Sequence, residues 1–105
     1  MSKTDQTVTV EQLKISVREF CEKRGWDPFH GPKDLAIGLV TEASELLEIF
    51  RFIDDEKARR MLTDPQERQR MADELADSLY FILRFAQLYN FDLNKCVHDK
   101  LIKNI

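Results

Sequence analysis

Residues 35–53 read LAIGLVTEASELLEIFRFI, an apolar helical stretch with a carboxylate where a packed face should have none. At about 100° per residue, Leu35, Leu39, Leu46, Ile49, Phe50 and Ile53 fall on one side of the wheel, with Glu42 among them and Glu45 one turn on at the edge. A buried, unpaired carboxylate is costly enough to shift its own pKa or unfold its surroundings. A Glu inside an apolar stripe therefore calls for a cation or strong hydrogen-bond donors. A second pair follows in MADELADSLYFILRFAQL, residues 71–88, where Glu74 and Asp77 share a helical face with Phe81, Phe85 and Leu88. Four carboxylates from two helices, converging in an apolar interior, would make the oxygen-lined site that a hard divalent cation needs.

Either pair alone reads as a solvated helix face, which is common in a chain with 33% charged residues. Their joint occurrence on two long helices favours a shared site. Glu48 and Asp73 serve as internal controls, because both project away from the apolar arcs and are assigned to solvent. Arg70 and Arg84, seven residues either side of Asp77, share its face. They could neutralise the acids as salt bridges, the structural alternative to a metal, or meet phosphate. A di-iron carboxylate bundle requires Glu-x-x-His on two helices, and neither Glu42 nor Glu74 is followed by histidine at that spacing. All-oxygen ligation points to Mg²⁺, with Mn²⁺ as a substitute, and magnesium held by carboxylates completes its shell with waters and substrate phosphates. A phosphate-containing substrate follows.

Outward from these helices the chain reads as all-α, with four main helices. Thr9-Val10-Glu11-Gln12 has the form of a capping box, and the helix it opens has Leu13, Val17, Phe20 and Cys21 as its expected buried face, with Gly25 as its stop. Residues 1–8 are polar and expected to fray. WDPFHGP, residues 26–32, cannot be regular structure, and its aromatics must pack on the core or line a pocket. Pro32 suits a first helical position, with Asp34 at the positive helix end, and the second helix is expected to run to about Ile53. Residues 54–62 suit a short exposed helical turn or two. Asp64-Pro65-Gln66-Glu67 is a strong restart signal for a third long helix to Tyr89, capped by Asn90. Asp92 can cap a last helix from Leu93 to about Asn104, with Leu93, Cys96, Val97, Lys100 and Leu101 on one face.

The 105 residues supply one domain and one modest core, completed by a partner subunit if the chain self-associates. No apolar run reaches membrane-spanning length and the first ten residues lack the apolar core of a signal peptide, so a cytoplasmic protein with no membrane partner is expected. Cys21 and Cys96 lie on separate helices without metal-ligand spacing and read as core thiols. The net charge of −3, with no basic stripe, argues against a nucleic-acid surface.

The segments EFCEKRGWDPFHGPKDLAIGLVTEASELLEIFRF and DELADSLYFILRFAQLYNFDLNKCVHDKLIKN resemble the MazG-like nucleotide pyrophosphohydrolases of the all-α NTP pyrophosphatase group, within it the dCTP pyrophosphatase-like branch. The resemblance covers roughly residues 13–104. It rests on ExxE at Glu42 and Glu45 and ExxD at Glu74 and Asp77, together with the W-D-x-F-H-x-P-K-x-L that precedes them and the closing F-D-L and K-x-x-x-N. It implies Mg²⁺-dependent hydrolysis of a (deoxy)nucleoside triphosphate between the α and β phosphates, giving monophosphate and pyrophosphate, with dCTP-like substrates favoured. Glu42, Glu45, Glu74 and Asp77 inherit the metal-ligand role, and Glu45, at the edge of the arc, is expected to accept a proton from the attacking water.

By the same resemblance Trp26, Phe29 and His30 are base or sugar contacts, with core packing or loop capping as the alternatives. Lys33, Lys100 and Asn104 are phosphate or sugar ligands, and Phe52, Phe81 and Arg84 complete the expected substrate set. Phe52 stands where many relatives have tryptophan and Phe81 where dCTP pyrophosphatases tend to have tyrosine, which bears on base selectivity. Relatives continue past the position of Ile105 with a basic tail, whose contacts are expected to be absent or supplied differently. Members of this size form dimers or dimer-of-dimers tetramers, so a homo-oligomer is expected. The rivals are a non-catalytic helical interaction module whose acids pair with Arg70 and Arg84, and a phosphohydrolase acting on other or modified nucleotides.

Overall fold

The computed structural model describes residues 3–105, and its regular elements are all helical. Helix α1 spans Val10–Lys23, a single 3-10 turn spans Asp27–Phe29, and α2 spans Pro32–Phe50. Helix α3 spans Asp55–Met61, α4 spans Pro65–Tyr89 and α5 spans Leu93–Lys103. Each start has a local cause. Thr9 and Gln12 form the full capping box on α1, while Asp54, Asp64 and Asp92 each accept a backbone N–H three residues on, from Lys57, Glu67 and Lys95. Pro32 and Pro65 occupy first helical positions.

The stops are equally local. Gly25, at φ 65°, carries the left-handed residue after α1; its N–H meets Glu22 O and the Trp26 N–H meets Cys21 O, the paired bonds of a Schellman motif. That motif turns the chain so that Trp26 and the segment to His30 fold back onto α4. Asn90, at φ 61°, ends α4 as its sequence position suggested. Helix α2 stops at Phe50, short of the expected Ile53, because residues 51–53 form the turn that lets Asp54 cap α3. Of the stretch expected to fray, Thr4–Val8 forms a hydrogen-bonded turn through Thr4 O, and Met1 and Ser2 lie outside the described residues.

Helices α2 and α4 pack on each other most extensively and α1 packs on α4, whereas α3 and α5 touch the rest sparsely. Gly38 permits the α2–α4 approach, since a Cβ there would overlap the ring of Phe81. The core is small: Cys21, Leu35, Ile49, Met71, Leu83 and Ala86. The expected buried face of α1 is corrected by the structure. Cys21 is buried and Val17 half-buried, but Leu13 and Phe20 are exposed, and Lys14 goes inside instead to donate to Phe91 O at 2.5 Å. On α5 only Leu93 is partly covered.

The result is open. The radius of gyration is 16.0 Å, against about 13 Å for a compact domain of this length. The exposed surface is 8390 Å², against roughly 6,100 Å² for a monomer of this mass. No helix among the described residues is long and apolar enough to cross a membrane.

Candidate active site

Crossing α2 over α4 brings the acids together. One carboxylate oxygen from each of Glu42, Glu45 and Glu74 lies within 4.8 Å of the other two. Asp77, one turn beyond Glu74, stands outside this tight group and borders the adjoining cavity beside Glu42. Glu45 is exposed at the open side of the cluster, and Glu48 and Asp73 face solvent as their wheel positions require.

Among the described residues no salt bridge answers these charges. The salt-bridge alternative placed Arg70 and Arg84 beside the acids, and the structure corrects it. Arg70 pairs with Glu67 on its own helix, and Arg84 pairs with Asp27. Glu42 Oε2 and Glu74 Oε2 are buried and without a hydrogen-bond partner, as is Ser78 Oγ on the same face of α4. A buried polar atom left unpaired is costly, and more so if charged. The chain compensates by holding protons: burial first, then Glu45 and Asp77, push the Glu42 carboxyl up to about 7, and burial and Glu45 push Glu74 upward as well. An all-carboxylate donor set with two unsatisfied oxygens fits a hard divalent cation, which would replace those protons.

Glu42 and Asp77 open onto a cavity of about 640 Å³ whose remaining wall is aromatic: Phe20, Trp26, Phe29, His30, Tyr80 and Phe81. Phe20 meets Trp26 edge to face at 5.6 Å and Tyr80 at 6.5 Å, while Tyr80 meets Phe81 at 5.0 Å. The Arg24 guanidinium lies 3.5 Å from the Phe20 ring centroid. Tyr80 shares a hydrogen bond of 3.1 Å with buried Cys21, and burial raises its phenol pKa. The loop is tied to α4 by Arg84, which donates to Asp27, to His30 Nδ1 and to Gln87, and by the Tyr89 hydroxyl, which donates to His30 O.

Of the residues expected at a substrate, the fold gathers Trp26, Phe29, His30 and Phe81 in this wall. Five others stand elsewhere. Arg84 is fully buried behind the loop, with each of its three nitrogens donating there. Phe52, in the turn after α2, is 91% exposed under Arg51. Lys33 is exposed in the first turn of α2, and Lys100 and Asn104 are exposed on and just after α5. Phe20 and Tyr80 were missed. Tyr80 follows Asp77 by three residues on the same helical face, a usable signal, whereas Phe20 looked like ordinary core.

An all-helical fold with acids on crossed helices beside an aromatic cavity agrees with the MazG-like fold that the sequence resemblance implies. No family model matches the chain. It is 33% identical over 96 residues to dCTP pyrophosphatase 1 of Bos taurus, covering 91% of this chain and 57% of that protein. It is 32% identical over 93 residues to dCTP pyrophosphatase 1 of Homo sapiens, covering 89% and 55%. The chain thus spans little more than half the length of these curated relatives. A pyrophosphatase from Archaeoglobus fulgidus superposes with a TM-score of 0.84 at 28% identity, over 99% of this chain and 93% of that one. The chain is thus similar in sequence to dCTP pyrophosphatases and in fold to a solved pyrophosphatase.

Proposed function

We propose that the chain is a Mg²⁺-dependent hydrolase that splits (deoxy)nucleoside triphosphates, dCTP-like ones preferred, between the α and β phosphates to give the monophosphate and pyrophosphate. The observation that carries this reading is the pair of orphaned buried oxygens, Glu42 Oε2 and Glu74 Oε2, beside a cavity walled by aromatic rings. Its dCTP preference is supported by the curated relatives, which are dCTP pyrophosphatases. Glu42, Glu45, Glu74 and Asp77 would hold the cation, magnesium or in its place manganese, which when bound offsets charge on phosphate oxygens and acidifies water.

The chain's own residues do the rest. Trp26, Phe29 and Phe81 offer flat apolar surface to a base, and His30 offers a polar ring edge. Glu45, at the open side of the acid group, takes the proton of the attacking water. The whole chain works as one catalytic domain in the cytoplasm, removing unwanted deoxynucleotides.

A homo-oligomer, dimer or dimer of dimers, completes it. The surface left open exceeds the expectation for a monomer by roughly 2,000 Å², the scale of an obligate interface. An almost wholly apolar groove of about 340 Å³ runs between α2, α4 and the start of α5, and Val97, Leu101 and Ile102 of α5 are more than half exposed. Lys33, Lys100 and Asn104 do not line the cavity of their own chain, which leaves them available to a nucleotide held by a second copy. The test is product identification with a panel of nucleoside triphosphates and Mg²⁺. Pyrophosphate with monophosphate, abolished by chelation, is expected. Orthophosphate release, or no turnover of any nucleotide, contradicts the reading.

A further inference from the structure

Arg84 is the largest fully buried side chain in the protein, and its position behind the aromatic loop is built rather than incidental. Its guanidinium has one countercharge, Asp27 Oδ1, and two neutral acceptors, Gln87 Oε1 at 2.7 Å and His30 Nδ1 at 2.9 Å. The last contact constrains chemistry. Arginine N–H groups only donate, so Nδ1 must present its lone pair, and a neutral imidazole that accepts at Nδ1 carries its proton on Nε2. Among the described residues nothing else bonds to this ring, and His30 lines the cavity. Its Nε2–H is therefore left without a partner, in a residue that lines the cavity.

We propose that Arg84 is a positioning residue that locks His30 as the neutral Nε2–H tautomer, so that the pocket presents a directed donor to an acceptor oxygen or nitrogen of the nucleoside. The ligand half of this inference rests on the nucleotide reading above, and the tautomer half does not. A second proton would sit on Nδ1 and face the Arg84 N–H, so the site resists the imidazolium form. Burial and Arg84 accordingly lower the His30 pKa, with Asp27 and Asp34 opposing them. The indifferent alternative is that Arg84 merely staples the loop through Asp27 while the His30 ring samples both tautomers.

Two-bond ¹H–¹⁵N correlation spectra of the labelled full chain decide between these. Only two histidines are present, and an His98→Gln variant assigns them. At neutral pH His30 is expected to show a single fixed tautomer with an unprotonated Nδ1, while exposed His98 shows the averaged pattern of a free imidazole. A proton on Nδ1 of His30, or the same averaging as His98, overturns the proposal. If Arg84→Met fails to fold, the wild-type spectrum still decides.

Where it folds, Arg84→Met should release His30 into the averaged pattern and weaken dCMP about tenfold, the worth of one directed hydrogen bond. Arg84→Lys, which can still pair with Asp27, should keep the loop docked but not the lock. Unchanged dCMP affinity with a released tautomer overturns the positioning role. A locked His30 in a wild-type protein that does not bind dCMP contradicts the nucleotide reading instead and leaves the lock standing.

Discussion

The chain treats two of its groups of charged side chains oppositely, the one around Arg84 and the one around Glu42 and Glu74. Around Arg84 the partners are provided: a carboxylate from the loop, an amide from its own helix and an imidazole nitrogen. Around Glu42 and Glu74 they are withheld. Three carboxylates are pressed together, two of their oxygens are shut away from water with no hydrogen-bond partner among the described residues, and Arg70 and Arg84 pair elsewhere. Folding alone favours the first arrangement and opposes the second, since like charges in a buried site repel and lose hydration. Unsatisfied oxygens gathered at one group, in a molecule that gives Arg84 and Lys14 their partners, are what the proposed cation would satisfy.

The contrast breaks most visibly by substitution of the acids. Glu74→Gln, which removes charge but little volume, should lower pyrophosphate release by roughly a hundredfold or more while leaving the metal-free melting temperature equal or higher, because a repelling carboxylate is gone. A fall in both would show that the acids hold the fold. The Arg84 group should respond in the reverse sense. Asp27→Ala leaves a buried guanidinium without its countercharge and is expected to cost about 3 kcal/mol in denaturant unfolding, short of the extreme because Asp27 is itself half exposed. Gly38→Ala tests the crossing that creates both groups. Its methyl meets the Phe81 ring and should cost about 1–3 kcal/mol, with Phe81 displaced from the cavity wall and KM raised.

The smallest effect is the pH dependence. Glu42, raised to about 7, binds its proton more tightly folded than unfolded. Its contribution to stability is complete below the ordinary carboxylate range and is lost as pH rises through about 7. The melting temperature of the metal-free protein should therefore fall between about pH 5 and pH 8 on account of this group, and saturating Mn²⁺ should restore more of it at the upper end than at the lower. A metal effect independent of pH would separate the cation from the carboxylates.

Much of this was legible in the residues because the signals are local. Thr9, Pro32, Asp64, Asn90 and Asp92 act on backbone groups within a turn of themselves, so the helix ends follow. Glu42 and Glu74 betray themselves by interrupting apolar arcs, which needs only helical geometry. The failures are long-range. Lys14 is buried because a carbonyl 77 residues away receives it, and nothing in the VEQLKISV pattern announces Phe91 O. Arg84 shares a wheel face with Asp77, yet its long side chain reaches Asp27 in a loop that the wheel does not contain. Residues 51–53 continue the apolar stripe of α2 without a stop signal, so the turn there, and with it the outward Phe52, is set by the cap that Asp54 gives α3.

The most direct test of a cation site built from α2 and α4 is Mn²⁺ binding followed by electron paramagnetic resonance near pH 8. Wild type is expected to immobilise Mn²⁺ at stoichiometric concentrations, whereas a folded Glu42→Gln, Glu74→Gln double variant leaves it free in solution. Equal binding by the two proteins would contradict the assignment.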